Sequence, residues 1–161
     1  MKKLICLLLL AVTLFSFASC SRRPEDFKAA DMTITLTRDF DPSPLPGFTA
    51  CYHSKRVMVM IMKEPFSIKE GFRHMTLAEY AQSVRANNES KNPSEVKEED
   101  GLTYFSYVYS DAERGKTYVY LCFTYKSIDG FWLVQFATPE KHADKYRDDI
   151  FGWAKSVRFG D

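Results

Sequence analysis

The chain has 161 residues, of which 45% are hydrophobic, 15% aromatic and 27% charged, with 22 Lys and Arg against 21 Asp and Glu. That length fits one domain, and its apolar content can supply a core without disulfide staples. The near-balanced, scattered charge lacks the basic footprint of a nucleic-acid binder. In chain order, Lys2 and Lys3 precede an uncharged, mostly apolar run from Leu4 to Ala18, then the small residues Ala18 and Ser19, then Cys20. A basic start, a short apolar run and small residues before a cut site form a secretory signal peptide. The run is shorter than the roughly 20 residues a helix needs to cross a bilayer, and Arg22 and Arg23 close it.

Phe17-Ala18-Ser19-Cys20 resembles the bacterial lipoprotein signal. The resemblance implies cleavage after residue 19, a diacylglycerol thioether on Cys20, and acylation of the new amine, for example by palmitate. Each buried methylene contributes about 0.8 kcal/mol, so two or three chains hold a protein that one would release. The alternative is an ordinary signal peptide with a free cysteine near the cut. Ser21 differs from the aspartate that retains lipoproteins at an inner membrane, which points to the outer membrane where one exists. Removing residues 1–19 takes away Lys2 and Lys3 and leaves 142 residues with 20 basic and 21 acidic side chains, a formal charge of −1.

Residues 20–31 are polar and charged, contain Pro24, and read as a tether; the domain is expected over 32–161. "MTITLT" alternates as a strand does. "DPSPLPG" cannot continue a ladder, because proline has no N–H to donate. "FTACYHS" and "VMVMIMKE" are the next strands, and the second is apolar at every position from Val57 to Met62, the pattern of a strand covered on both faces. Thr76 with Glu79 three residues on forms a capping box, and Leu77, Tyr80, Ala81 and Val84 make one helical stripe that ends near Asn87-Asn88.

Four strands follow, over about 94–98, 102–110, 117–126 and 131–138, separated by Asp100-Gly101, "DAERGK" and "SIDG". Asp-Gly between β-rich runs marks a tight hairpin, so this half is an antiparallel meander. In the last strand Phe131, Leu133 and Ala137 face one way and Trp132, Val134 and Phe136 the other. Thr138 is placed to cap a final helix with Pro139 at its first position, and Tyr146, Ile150, Trp153 and Val157 form its stripe. Gly152 weakens that helix or admits close approach to the sheet. The expected fold is α+β: an antiparallel sheet of about six or seven strands flanked by two main helices.

This order, with "PGF", "VMVMIMKE", "DGLTYFSYVY", "TYVYLCFTY", "FWLVQFATP" and "WAKSVRF", resembles the PsbP-like family over roughly 32–159. That family includes the photosystem II extrinsic subunit, the nuclear release factor for the Ran GTPase, and DcrB-like bacterial lipoproteins. The resemblance implies an α/β/α sandwich and a non-enzymatic binding or assembly role, with no active site to carry over.

The remaining residues agree. His53, His74 and His142 have no second ligand at zinc spacing, so no metal or cofactor is expected. Walker, dinucleotide and G-x-S-x-G patterns are absent, and no catalytic residue is assigned. Glu98-Glu99-Asp100 reads as a solvated turn, since consecutive side chains do not converge as in a calcium loop. Cys51 and Cys122 either pair or remain as buried thiols. Tyr107 and Tyr109 share a face, as do Tyr118 and Tyr120; they either stabilise the sheet as cross-strand pairs or form an exposed aromatic platform. Tyr104 and Tyr125 lie on the same two strands. The reading is a lipid-anchored, non-catalytic binding or assembly module of the bacterial cell envelope, held by acyl chains on Cys20 and facing an unidentified protein partner outside the cytoplasm. An immunity or chaperone-type protein that binds a toxin or secreted effector is the alternative.

Overall fold

The computed structural model describes residues 23–160. The signal at 1–19 and Cys20 lie outside these residues. The seven-stranded sheet is antiparallel throughout and has the spatial order β3-β4-β5-β9-β8-β7-β6. Its strands are β3 (Asp41–Pro42), β4 (Ala50–His53), β5 (Met58–Pro65), β6 (Lys97–Glu99), β7 (Leu102–Asp111), β8 (Lys116–Lys126) and β9 (Gly130–Pro139). The α-helices among the described residues are α1 (Leu77–Ala86) and α2 (Ala143–Lys155). A smaller sheet of β1 (Pro24–Ala29), β2 (Met32–Thr37) and β10 (Arg158–Phe159) has the order β1-β2-β10. The expected α+β architecture is present: two helices on opposite sides of an antiparallel sheet.

Alternation along β9 separates the two cores. Trp132, Val134 and Phe136 join Val59 and Ile61 of β5, Met32, Ile34 and Leu36 of β2, and Ile150 and Ala154 of α2. Phe131 and Leu133 join Phe105, Cys122 and, from α1, Tyr80 and Val84. Tyr80 stacks on Phe131 at 4.3 Å between ring centroids, and Phe66 and Phe72 meet the same ring edge-on at 5.3 and 5.4 Å. One ring therefore carries α1 and two short 3-10 turns. The capping box forms as expected, with Thr76 accepting from the Glu79 backbone and Glu79 accepting from that of Thr76. The Asp-Gly turn takes φ of 53° at Asp100 and 77° at Gly101, the left-handed pair that such a hairpin requires.

Four expectations are corrected. The first expected strand, residues 32–37, is not part of the main sheet. It forms β2 of the smaller one, and the proline-rich stretch carries the chain across to β4. The tether ends earlier than residue 31, because Pro24–Ala29 pairs with β2 from Pro24↔Thr37 to Ala29↔Met32. Its charges hid the strand. Only alternate residues need be apolar, and here Ala29 is buried while Phe27 packs edge-on against Tyr52 at 5.0 Å. Thr138 does not cap a helix. It pairs with Val119 inside the sheet, a 3-10 turn at Glu140–His142 follows, and α2 starts at Ala143. Gly152 makes no close approach to the sheet, since an added Cβ there meets nothing within 4 Å.

Gly130 is the position where a close approach does occur: a Cβ would stand 2.8 Å from the Glu64 carbonyl oxygen and 3.2 Å from the Pro65 Cα. Both atoms belong to the backbone of the neighbouring strand and cannot yield cheaply. Gly130→Ala is therefore expected to lower unfolding free energy by about 2 kcal/mol, whereas Gly152→Ala, exposed in the middle of α2, should raise it by roughly 0.5–1 kcal/mol. Urea titration of the two variants measures both.

Candidate functional site

The three histidines lie apart. His53 is exposed at the end of β4 and His74 is exposed in a 3-10 turn, while His142 precedes α2. Among the described residues no group of three His, Cys, Asp or Glu side chains stands close enough to hold a metal. Burial, and then the charges of Arg56, Lys141 and Lys145, hold the His142 pKa below its ordinary value. The acidic run splits between partners: Glu99 accepts from the Tyr104 hydroxyl at 2.9 Å, and Asp100 pairs with Lys155 at 2.9 Å.

Cys51 and Cys122 are free and buried. They point to the same face of the sheet along one cross-strand row, Cys51↔Met60↔Gln135↔Cys122. Three strand spacings separate them, about 14 Å at roughly 4.8 Å each, against the ~7 Å limit for a bridge. Burial pushes the Cys51 thiol up, and the Cys122 thiol up to about 12.

The tyrosines form a ladder rather than a broad platform. Tyr107 opposes Tyr120 and Tyr109 opposes Tyr118. The first pair is stacked at 4.7 Å between centroids, and Lys91 Nζ lies 4.6 Å from the centre of the Tyr107 ring. Burial raises the pKa of both Tyr107 and Tyr120. Tyr104 and Tyr125 turn to the opposite face, where the Tyr125 hydroxyl donates to the Ala154 carbonyl at 2.8 Å. Only the tip of the ladder is open: Tyr109 is 44% exposed and its neighbour Val108 49%.

That tip coincides with an open backbone edge. β6 pairs only with Leu102–Tyr104. Beyond it the Ser94 N–H donates to the Ser106 carbonyl at 2.8 Å, and the Ser106 N–H donates to the Ser94 hydroxyl at 3.0 Å. The N–H and C=O of Ser106 thus point away from β8. In an antiparallel ladder this direction repeats every second residue, so the N–H and C=O of Val108 and Ser110 point outward too. Among the described residues no strand pairs with them. An open groove of about 430 Å³ runs beside this edge, lined by Lys91, Asn92, Ser94, Ser106, Val108 and Val119. The opposite edge of the sheet is blunted, because β3 has two residues and the second is Pro42. Short length and proline are common protections of an exposed edge, and β7 has neither over residues 107–111.

Sequence reasoning placed the tyrosines but not the edge. The available signal was a length mismatch. Pro93 breaks the chain just before the short, charged β6, so β6 cannot cover the ten residues of β7.

No protein-family model matches the chain, and no curated protein matches it. Solved structures do. The solution structure of cyanobacterial PsbP (CyanoP) from Synechocystis matches with a TM-score of 0.56 at 11% identity, over 89% of this chain and 95% of that one. A crystal structure of a protein from Bacteroides thetaiotaomicron matches with a TM-score of 0.55 at 9% identity, over 88% of this chain. The match takes in 49% of the Bacteroides chain, so this protein spans about half of its length. The fold is PsbP-like.

The two thiols generate a direct test. With a pKa of about 12, Cys122 has a thiolate fraction at pH 8 roughly 10³-fold below that of an ordinary cysteine. Maleimide is expected to leave Cys51 and Cys122 of the folded chain unmodified and to label both after unfolding in urea, with no reductant required. Mass spectrometry reads the outcome, and a disulfide recovered from the folded protein would contradict it.

Proposed function

We propose that this chain is a lipid-anchored, non-catalytic binding module of the bacterial cell envelope, which holds a partner polypeptide as an added strand on the free edge of β7. The anchor is the acylated Cys20 implied by the lipoprotein-like signal. Among the described residues no helix is long and apolar enough to cross a membrane. The PsbP-like fold supplies a rigid sheet with one guarded edge and one open edge.

The observation that carries the binding role is the outward backbone of Val108 and Ser110 next to the exposed Val108 and Tyr109 side chains. Strand addition draws affinity from main-chain hydrogen bonds and selectivity from alternate side chains. Here the incoming strand would run along the groove, with Tyr109 on one face of the sheet and Val108 on the other. Lys91, held over the Tyr107 ring, lies beside the same groove and favours an acidic or carbonyl-rich segment. The chemistry of the site argues against an enzyme. The strongly shifted groups are tyrosines and cysteines raised by burial, which makes them poorer acids and nucleophiles, and they do not flank a common cleft with a base.

Two measurements test the proposal. Metabolic labelling with palmitate should mark the wild-type chain and leave Cys20→Ser unlabelled. For the edge, a photo-crosslinking residue at Tyr109 should give a discrete adduct in native membranes, and the same residue at Ile128, which is 91% exposed, should give none. Val108→Pro removes an outward N–H and fixes φ at that position, a change that edge strands tolerate. It should abolish the Tyr109 adduct while the thermal midpoint stays within about 4 °C, a change of roughly 1 kcal/mol or less. An adduct that survives Val108→Pro would exclude strand addition.

A further inference from the structure

The sequence places only Ser21, Arg22 and Arg23 between Cys20 and the first strand. The fold takes hold at once: the Arg23 carbonyl accepts from the Arg38 N–H at 2.9 Å, and Pro24 opposes Thr37. Four Cα steps separate residue 20 from Pro24, about 14 Å at full extension. A headgroup layer takes up roughly 5–8 Å of that reach. A domain attached so closely has almost no room to lift away from the lipid or to swing.

The strand registers show what else lies at this end. β2 ends at Thr37, and four residues later Asp41 opposes His53. His53 opposes Met58, and Met58 opposes Ala137. The β4–β5 turn at Lys55-Arg56 and the β9–α2 junction at 140–142 therefore share the end where the chain enters. The β8–β9 turn, with Ile128, lies at the other end, since β8 runs from the Tyr118↔Pro139 pair to the Lys126↔Phe131 pair.

Both ends carry exposed cations without an ion pair, Lys69, Arg73, Lys97 and Lys126 among them at the far end. At the far end Lys63 bridges Asp31 and Asp129 at 2.7 and 2.8 Å, and Lys155 pairs with Asp100. At the entry end Arg23, Arg38, Arg56, Lys141 and Lys145 are all exposed, and none forms an ion pair with another described residue. The charges of Arg56, Lys141 and Lys145 act together on His142, after the larger effect of burial. The β7–β8 turn lies at this end too, where Arg114 pairs with Asp111, and Asp39, Asp41, Glu113, Glu140 and Asp144 are exposed there. The short connection is therefore the main constraint, and the free cations orient the contact toward phosphate.

Resting on the lipid anchor proposed above, we propose that the entry end of the domain, with Arg23, Arg38, Arg56, Lys141 and Lys145, lies flush against the phospholipid headgroups of the bilayer that holds Cys20. The strands of the main sheet then stand up from the membrane, and the open edge of β7 faces sideways.

The test uses the mature, acylated full chain in vesicles of phosphatidylethanolamine and phosphatidylglycerol, spin-labelled at Arg38→Cys or at Ile128→Cys. Collision of the label with a water-soluble nickel chelate is expected to fall by roughly threefold or more at position 38, relative to the unacylated Cys20→Ser chain in solution, and to stay unchanged at position 128. Inserting a Gly/Ser linker of about 15 residues after Arg22 should restore access at position 38, because such a linker spans roughly 20 Å. If the mature chain has no diacylglycerol by mass spectrometry and does not float with vesicles, the anchor reading fails and this inference falls with it. If it is acylated and floats, yet position 38 is as accessible as in solution, the flush orientation alone is overturned.

Discussion

The structure depends on a central strand that can have no solvent side. β9 lies between β5 and β8 and sends large apolar groups to both faces, with Phe131, Trp132, Val134 and Phe136 all fully buried. Each fully buried side chain of this size contributes roughly 1.5–3 kcal/mol, but only if something covers it. Two layers are therefore obligatory. α1 and the 3-10 turns assemble around Phe131 on one side, and α2 with the small sheet assembles around Trp132, Val134 and Phe136 on the other. Gly130 is the same demand expressed in backbone, because β9 begins so close to Glu64 and Pro65 that a side chain does not fit.

Such a layered body buries apolar groups on both faces of one sheet. Among the described residues the Tyr80 hydroxyl, Thr138 Oγ1 and His142 Nε2 are buried without a hydrogen-bond partner; the largest pKa shifts arise from burial of tyrosines and thiols, and Lys63 lowers the pKa of Asp129. Its asymmetries lie at its edges and ends. One sheet edge stops at a proline and the other leaves a run of β7 without a neighbour. One end of the strands receives the N-terminal segment, and the other carries the ion pairs of Lys63 with Asp31 and Asp129 and of Lys155 with Asp100. These two asymmetries are independent of each other.

Features encoded by near neighbours in the chain were legible from sequence. The Thr76–Glu79 capping box, the Asp100-Gly101 turn and the two-faced pattern of residues 131–138 each need only a few adjacent residues, and each stands as read. Features that depend on distant pairing were hidden. Nothing local in "PEDFKA" announces that it will lie beside Met32–Thr37, and two-residue strands such as Arg158–Phe159 carry no periodicity at all. Thr138 misled for a related reason. A threonine before a proline looks like a cap until the extra length of β9 keeps it in the ladder. The candidate site shows the same division: tyrosine alternation was visible, but the open edge came from the failure of one short strand to match another.

The small sheet has a temporal consequence. Its middle strand, β2, receives β1 from one side of the sequence and Arg158–Phe159 from the far end, and Arg158 reaches across to Asp26 and Thr35. Closing that loop joins residues separated by nearly the whole chain, and such remote closures form slowly because their entropy must be met before any contact repays it. A polypeptide threaded through a channel N-terminus first would emerge with β2 half-partnered, and the last few residues would complete it. The small sheet would then be the last part of the body to set.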